Sequence, residues 1–160
     1  MKLYIAKKAF SLFGKYDVKN EDGQLVYEVC GQPSVTDKLI VKDAAGKQVG
    51  EVRKKALTIS DAWALYESGE YIGELHEHHE LFNKDLAVTR LDWHIAGTFW
   101  NWQYQIKKGP FEVIATVSEQ QWHAIEHYVI DVANEQFALA CLLISLAVSI
   151  IASGKTPNNS

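Results

Sequence analysis

The sequence predicts a mainly β protein: a closed antiparallel barrel of about twelve strands enclosing a central apolar C-terminal helix. Three observations predict it. Two-residue alternation of apolar and polar side chains, punctuated by turn residues, runs from the start to about residue 133. A stretch without any charged residue follows, from 136 to 154. The composition is that of a globular chain, 160 residues with 48% hydrophobic and 22% charged, which excludes a disordered or collagen-like polymer.

The strands are read from their punctuation. Asn20-Glu21-Asp22-Gly23 separates 16–19 from 24–30, where Leu25, Tyr27 and Val29 fall on one face. Asp-Gly between two apolar runs is a hairpin signal. In the same way Asp43-Ala44-Ala45-Gly46-Lys47 divides 38–42 from 48–54, and Ser68-Gly69 divides 62–67 from 70–77. Lys107-Lys108-Gly109-Pro110 divides 100–106 from 111–118. Segment 100–107 alternates most clearly, with Trp100, Trp102, Tyr104 and Ile106 on the buried face and Asn101, Gln103, Gln105 and Lys107 on the wet one. The three prolines, at 33, 110 and 157, fall at turns or in the tail and leave the ladders intact. With no repeat or linker, a single domain is expected over 1–154, followed by a disordered tail, 155–160.

Asn134 is a candidate N-cap for the helix, and Glu135 suits the positive end of its dipole. Gly154, Lys155 and Pro157 form a stopping signature. Ser145 and Ser149, one turn apart, can bond back to preceding carbonyls. A helix apolar on every side must be surrounded on every side, by lipid or by protein. The run 137–153 has 17 residues, about 25 Å at 1.5 Å per residue, at the short limit for the hydrocarbon core, and it lacks flanking Trp or Tyr. A barrel of eleven or so strands encloses a helix, whereas eight strands fill their own interior. The buried arrangement also gives the expected inward aromatics (Trp93, Phe99, Trp100, Trp102, Tyr104) something to face.

Formal net charge is −4, which argues against nucleic acid as a partner. Cys30 and Cys141 offer neither a disulfide framework nor metal-ligand spacing. The opening Met1-Lys2-Leu3-Tyr4-Ile5-Ala6-Lys7-Lys8 breaks the apolar run a signal peptide needs, so a cytoplasmic location is expected.

At this point the chain resembles the tubby C-terminal-like superfamily, and within it the LURP-one-related family in its bacterial, YxjI-like form. The residues carrying the resemblance are Met1 to Ile5 with Lys8 and Phe10, Val18-Lys19 before Glu21-Asp22-Gly23, Lys38-Leu39, and Asp43 before Gly46-Lys47. The most specific stretch is Leu91-Asp92-Trp93-His94-Ile95-Ala96-Gly97-Thr98-Phe99-Trp100, with Tyr104 and Ile106 after it; Tyr128 through Asp131 then leads into the helix. The resemblance implies a twelve-stranded barrel around a central helix. Its functional content is thin: tubby-like domains bind phosphoinositide head groups and scramblases share the fold, but no catalytic motif carries over. The helix lacks the acidic residue that many bacterial relatives have near its end.

Candidate chemistry is sparse. On a strand, Glu74, His76, His78 and Glu80 project from one face as candidate metal ligands; a solvated strand end accounts for them as well, and no cofactor or metal is expected. Arg53, Lys54, Lys55, Lys107 and Lys108, with Lys7-Lys8, are candidates for an anion pocket if closure gathers two of these groups on one rim; as edge residues they would simply discourage strand pairing. Asp131, Asn134 and Glu135 sit where scramblases carry a calcium-binding segment, but helix capping explains them better. No phosphate loop, nucleophile elbow or zinc-protease motif occurs. The expected function is a non-enzymatic binding or scaffolding module whose partner is an anionic lipid head group at the inner membrane face or a protein. The alternative is a membrane-attached, scramblase-like lipid-handling protein with the helix inserted.

Overall fold

Turn chemistry organises the sheet. The Asn20 side-chain oxygen accepts from the amides of Asp22 (3.0 Å) and Gln24 (2.9 Å), and Gly23 takes φ +75°. Asp43 does the same for Ala45 (3.0 Å) and Lys47 (2.9 Å), with Gly46 at φ +84°. A side chain that satisfies two turn amides, followed by a glycine in the left-handed region, reverses the chain.

The computed structural model describes residues 1–10, 14–32, 38–55, 62–79 and 84–153. The strands are β1 (Lys2–Ala6), β2 (Lys15–Lys19), β3 (Leu25–Gln32), β4 (Lys38–Asp43), β5 (Gln48–Lys54) and β6 (Ala62–Glu67). They continue with β7 (Glu70–His79), β8 (Lys84–Val88), β9 (Trp93–Thr98), β10 (Gln103–Lys108), β11 (Glu112–Trp122) and β12 (Ile125–Val132), and the helix α1 is Ala138–Ser153. Each strand pairs antiparallel with its chain neighbours, and β12 closes on β1. Odd-numbered strands therefore run away from the rim where α1 begins, and even-numbered strands return to it.

Register places apolar residues opposite one another on the inner face. Leu3, Ile130, Val117 and Tyr104 line up across β1, β12, β11 and β10, and Ile106, Ile95 and Leu86 across β10, β9 and β8. Into this lining runs α1, whose Leu142, Leu143, Ile144 and Leu146 are completely buried. Burying each such side chain contributes about 1.5–3 kcal/mol. Asn134 caps the helix approach, its side-chain oxygen accepting from the Gln136 amide at 3.1 Å, and a 3₁₀ turn, Glu135–Phe137, leads into α1. By length and composition Glu135–Ser153 is apolar enough to cross a bilayer. Here protein surrounds it.

One strand differs from expectation. Phe99–Asn101 is a 3₁₀ turn, Trp102 sits at φ +54°, and β10 begins only at Gln103. The turn breaks the two-residue parity, so Trp100, expected inward, is 45% exposed with its ring 4.0 Å from that of Phe99. Trp93, Phe99, Trp102 and Tyr104 are buried as expected. The two helix serines also part company. Ser149 donates to the Leu146 carbonyl at 2.6 Å, whereas Ser145 faces the Tyr104 hydroxyl, and among the described residues neither of those two oxygens has a well-aligned bond. The expected tail, 155–160, lies outside the described residues.

Candidate functional site

The basic candidates do not form one pocket. Arg53, Lys54 and Lys55 end β5 on the rim far from the start of α1, whereas Lys107 and Lys108 end β10 on the opposite rim. Antiparallel strands running in opposite directions make that separation unavoidable. Lys7 and Lys8, which follow β1, share the far rim with Lys54 and Lys55. Carboxylates already hold several of these cations. Arg53 Nη2 is 2.7 Å from Glu51, Lys55 Nζ 2.8 Å from Glu74, and Lys7 Nζ 3.2 Å from Glu119 and 3.7 Å from Glu126. Hydrogen bonds to these carboxylates raise the pKa of Arg53, Lys55 and Lys7 above their ordinary values. Lys54 lies over the Trp63 ring, 5.9 Å from its centre.

β7 runs through His78, so Glu74 and His76 share its outer face as expected, while the His78 side chain and Glu80 lie outside the described residues. Glu74 is committed to Lys55. Across the ladder His76 is in register with Ala87, and Ala87 with His94, so the two imidazoles flank a small residue. With Thr89, Arg90, Asp92 and Trp93 they line an outer cavity of about 440 Å³. Among the described residues no three His, Cys, Asp or Glu side chains converge as a metal group would need. Asp131 and Glu135 are exposed, and Asn134 serves as the cap described above.

A second outer cavity lies where the barrel is least tightly closed. β1 and β2 are joined by a single registered pair, Tyr4 with Lys19, whereas β1 and β12 share the register from Lys2–Asp131 to Ala6–His127. Over this seam is a space of about 520 Å³. One wall is the outer row of β2: Lys15, Asp17 and Lys19. The other comes from the β11–β12 hairpin: Trp122, His123, Ile125 and His127. Ala6, Ala9, Tyr4 and Tyr16 complete the lining. Trp122 stacks on Tyr4 with ring centres 4.4 Å apart, and His127 meets both rings edge-on at 5.2 and 6.0 Å. The His127 Nδ1 is bonded to the Ile125 carbonyl at 2.9 Å, which fixes the imidazole.

The hairpin tip is strained. Register joins Trp122 to Ile125, so His123 and Ala124 form a two-residue turn, and both have positive φ, +49° and +60°. Such tips are normally Asn-Gly, because a side chain in the left-handed region costs about 1–2 kcal/mol per residue. On the opposite wall the Lys15 ammonium is 3.1 Å from Glu28, whose hydrogen bond raises the lysine pKa. Among the described residues the buried Tyr16 hydroxyl has no hydrogen-bond partner. Such a wall of aromatic and imidazole rings facing an alternating Lys-Asp-Lys row can stack a flat group and bind a polar one.

The LURP-one-related family model matches residues 1–150. The chain belongs to the LURP-one-related family. An X-ray structure of an Arabidopsis thaliana protein superposes with TM-score 0.62 over 94% of this chain and 90% of its own, at 15% identity, a likeness of fold. The tubby-like barrel expected from the resemblance is thus present. Curated proteins yield no sequence match.

In this LURP-one-related barrel the seam residues are not singled out by the sequence. Tyr4, Lys15, Asp17, Lys19, Trp122, His123 and His127 come from three separated segments and meet only through strand register. One local signal exists: Trp122-His123-Ala124-Ile125 is a hairpin tip without glycine or asparagine.

Proposed function

We propose that this protein is a non-enzymatic binding module of the cytoplasm that takes its partner on the outer wall of the barrel, in the cleft over the β1–β2 seam. The observation that carries the reading is the pairing of a filled interior with a formed outer cleft. Because α1 occupies the barrel's interior, recognition is left to the outside. There the seam offers about 520 Å³ with aromatic and charged walls, within the roughly 300–1,000 Å³ range of ligand sites. The cytoplasmic placement is supported by two unpaired cysteines. Of these, burial pushes the Cys141 thiol up to about 12, which fits a packing role better than a nucleophile's.

The test is a fragment titration of the full chain followed by ¹H–¹⁵N spectra, using small aromatic acids and amines. The cleft should respond at the Trp122 indole, Tyr4, Lys15 and Lys19, and Trp122→Ala should remove the response. Fragments that bind elsewhere, or nowhere, overturn this placement.

Head-group contact at the inner membrane face is a second reading, favoured by one observation. Lys7, Lys8, Lys54 and Lys55 share the far rim with the exposed side chains of Trp100 and Ile125, a mixture suited to a bilayer surface. The carboxylates on Lys7 and Lys55 reduce its pull on anionic lipid. Flotation with phosphatidylserine vesicles, repeated after charge reversal at Arg53 and Lys54, decides it: equal recovery with and without anionic lipid ends this reading. Insertion of α1 into a bilayer has the least support, since it would strip the barrel of its core.

A further inference from the structure

We infer that the seam cleft binds a small aromatic zwitterion, an α-amino acid with a flat ring, whose ammonium sits on Asp17, whose carboxylate sits on Lys19 and whose ring packs on the Trp122 wall; this rests on the cleft being the binding site. Charge decides the head group. The β2 wall is neutral once each charge on it is counted: Lys15 and Lys19 stand against Asp17 and against Glu28, which lies 3.1 Å from Lys15. Such a wall has no reason to choose a purely acidic occupant or a purely basic one. Its charges are nevertheless unevenly spent. Glu28 takes up Lys15, whereas among the described residues neither Asp17 nor Lys19 takes part in an ion pair. Asp17 is in register with Glu28, so the residue directly across the ladder is a second carboxylate. Like charges placed opposite one another are unfavourable, and a bound ammonium relieves them. Lys19 is in register with Tyr4, which supplies no counter-charge.

Spacing suits one small head group. Asp17 and Lys19 are exposed and separated by the buried Val18, so they project from the same face about 6.6 Å apart along the strand. The flexible four-carbon stem of the lysine can bring its ammonium to a carboxylate that shares a carbon with the amine held by Asp17. A ligand with both charges meets both groups; a simple acid or a simple amine leaves one of them unanswered. Opposite them, Trp122 is stacked on Tyr4 and the His127 ring is fixed by the Ile125 carbonyl. A ligand ring placed there gains ring–ring contact in addition to the apolar area it buries.

The experiment titrates the full chain with phenylalanine, phenethylamine, hydrocinnamate and alanine, followed by ¹H–¹⁵N spectra. Phenethylamine lacks the carboxylate, hydrocinnamate the ammonium and alanine the ring. Phenylalanine should bind roughly tenfold more tightly than each of the others, the worth of one charged hydrogen bond, shifting the Asp17 and Lys19 amides and the Trp122 indole. Asp17→Asn should weaken phenylalanine roughly tenfold and leave hydrocinnamate unchanged, and Lys19→Gln should weaken it as much and leave phenethylamine unchanged. Both positions are exposed, and a spectrum unchanged outside the cleft verifies the fold of each variant. No binding of phenylalanine, equal binding of alanine, or variants that lower all ligands alike overturns the inference. If phenethylamine or hydrocinnamate shifts the Trp122 indole at the same concentration as phenylalanine, only the zwitterion is lost and the cleft stands as a site. If no ring-bearing probe shifts it, both are lost.

Discussion

Tyr16 and Tyr104 carry phenols that the barrel hides from water; each residue is 3% exposed. Burial raises both above the ordinary tyrosine range. The unfolded chain ionises near pH 10 while the folded chain resists, so their contribution is whole below about pH 10 and is lost as pH rises. Each phenol then subtracts about 1.4 kcal/mol of stability per pH unit. Tyrosinate absorbance should show two of the seven tyrosines ionising only as the far-UV dichroism collapses; ionisation of all seven with the fold intact would contradict this. A neighbouring case is Trp102, whose positive φ costs about 1–2 kcal/mol. The Trp102 ring stacks on Tyr128 at 4.0 Å and meets the edge of Phe10 at 5.2 Å, contacts that offset the strain. Nothing local in Trp100-Asn101-Trp102 distinguishes this bend from a continuing strand, because aromatic and polar residues alternate through it. Alternation alone therefore puts Trp100 inside.

Among the elements, β7 and β5 show how closely a strand backbone can be approached, by another backbone in one case and by a helix side chain in the other. Gly73 sits in β7 at φ +142°, and a Cβ there would run into the Thr89 carbonyl oxygen. Gly73→Ala should therefore destabilise the protein by about 3 kcal/mol or more, since backbone must move on both sides. Urea unfolding checks it; a change within about 0.5 kcal/mol, as at an ordinary surface site, would show that the approach is not needed. Gly50 in β5 plays a related part for α1: a Cβ there would come within 2.9 Å of Leu143. The helix is legible in the sequence, cap included, because its composition leaves it no wet face. The cation pairs are legible as residues only; which rim each reaches depends on the direction of its strand.

The whole molecule is a sheet closed around a rod, and that arrangement can be tested from the inside. Leu143 is fully buried at the middle of α1. Leu143→Asp should abolish folding, since an unpaired buried charge costs several kcal/mol against a total stability of about 5–15 kcal/mol. Expression with circular dichroism reads the outcome; a folded barrel would mean that the interior does not hold the helix. Closure itself is uneven. Hydrogen exchange should find the Tyr4 and Lys19 amides opening well before those of β11–β12, where the ladder runs from Ala115–Val132 to Trp122–Ile125. Equal protection at both places would remove the seam as a special feature.

Alternation, turn residues and an uncharged C-terminal run are local properties, and they suffice to specify an antiparallel meander and a helix that something must surround. Register and closure are non-local, so it takes the folded barrel to bring β12 onto β1, to end Arg53 and Lys107 on opposite rims, and to stop the ladder between β1 and β2 after one pair. The cleft belongs to that second class. Its walls come from opposite ends of the chain, and no short-range pattern can say that Lys15 and Trp122 will face each other across a gap.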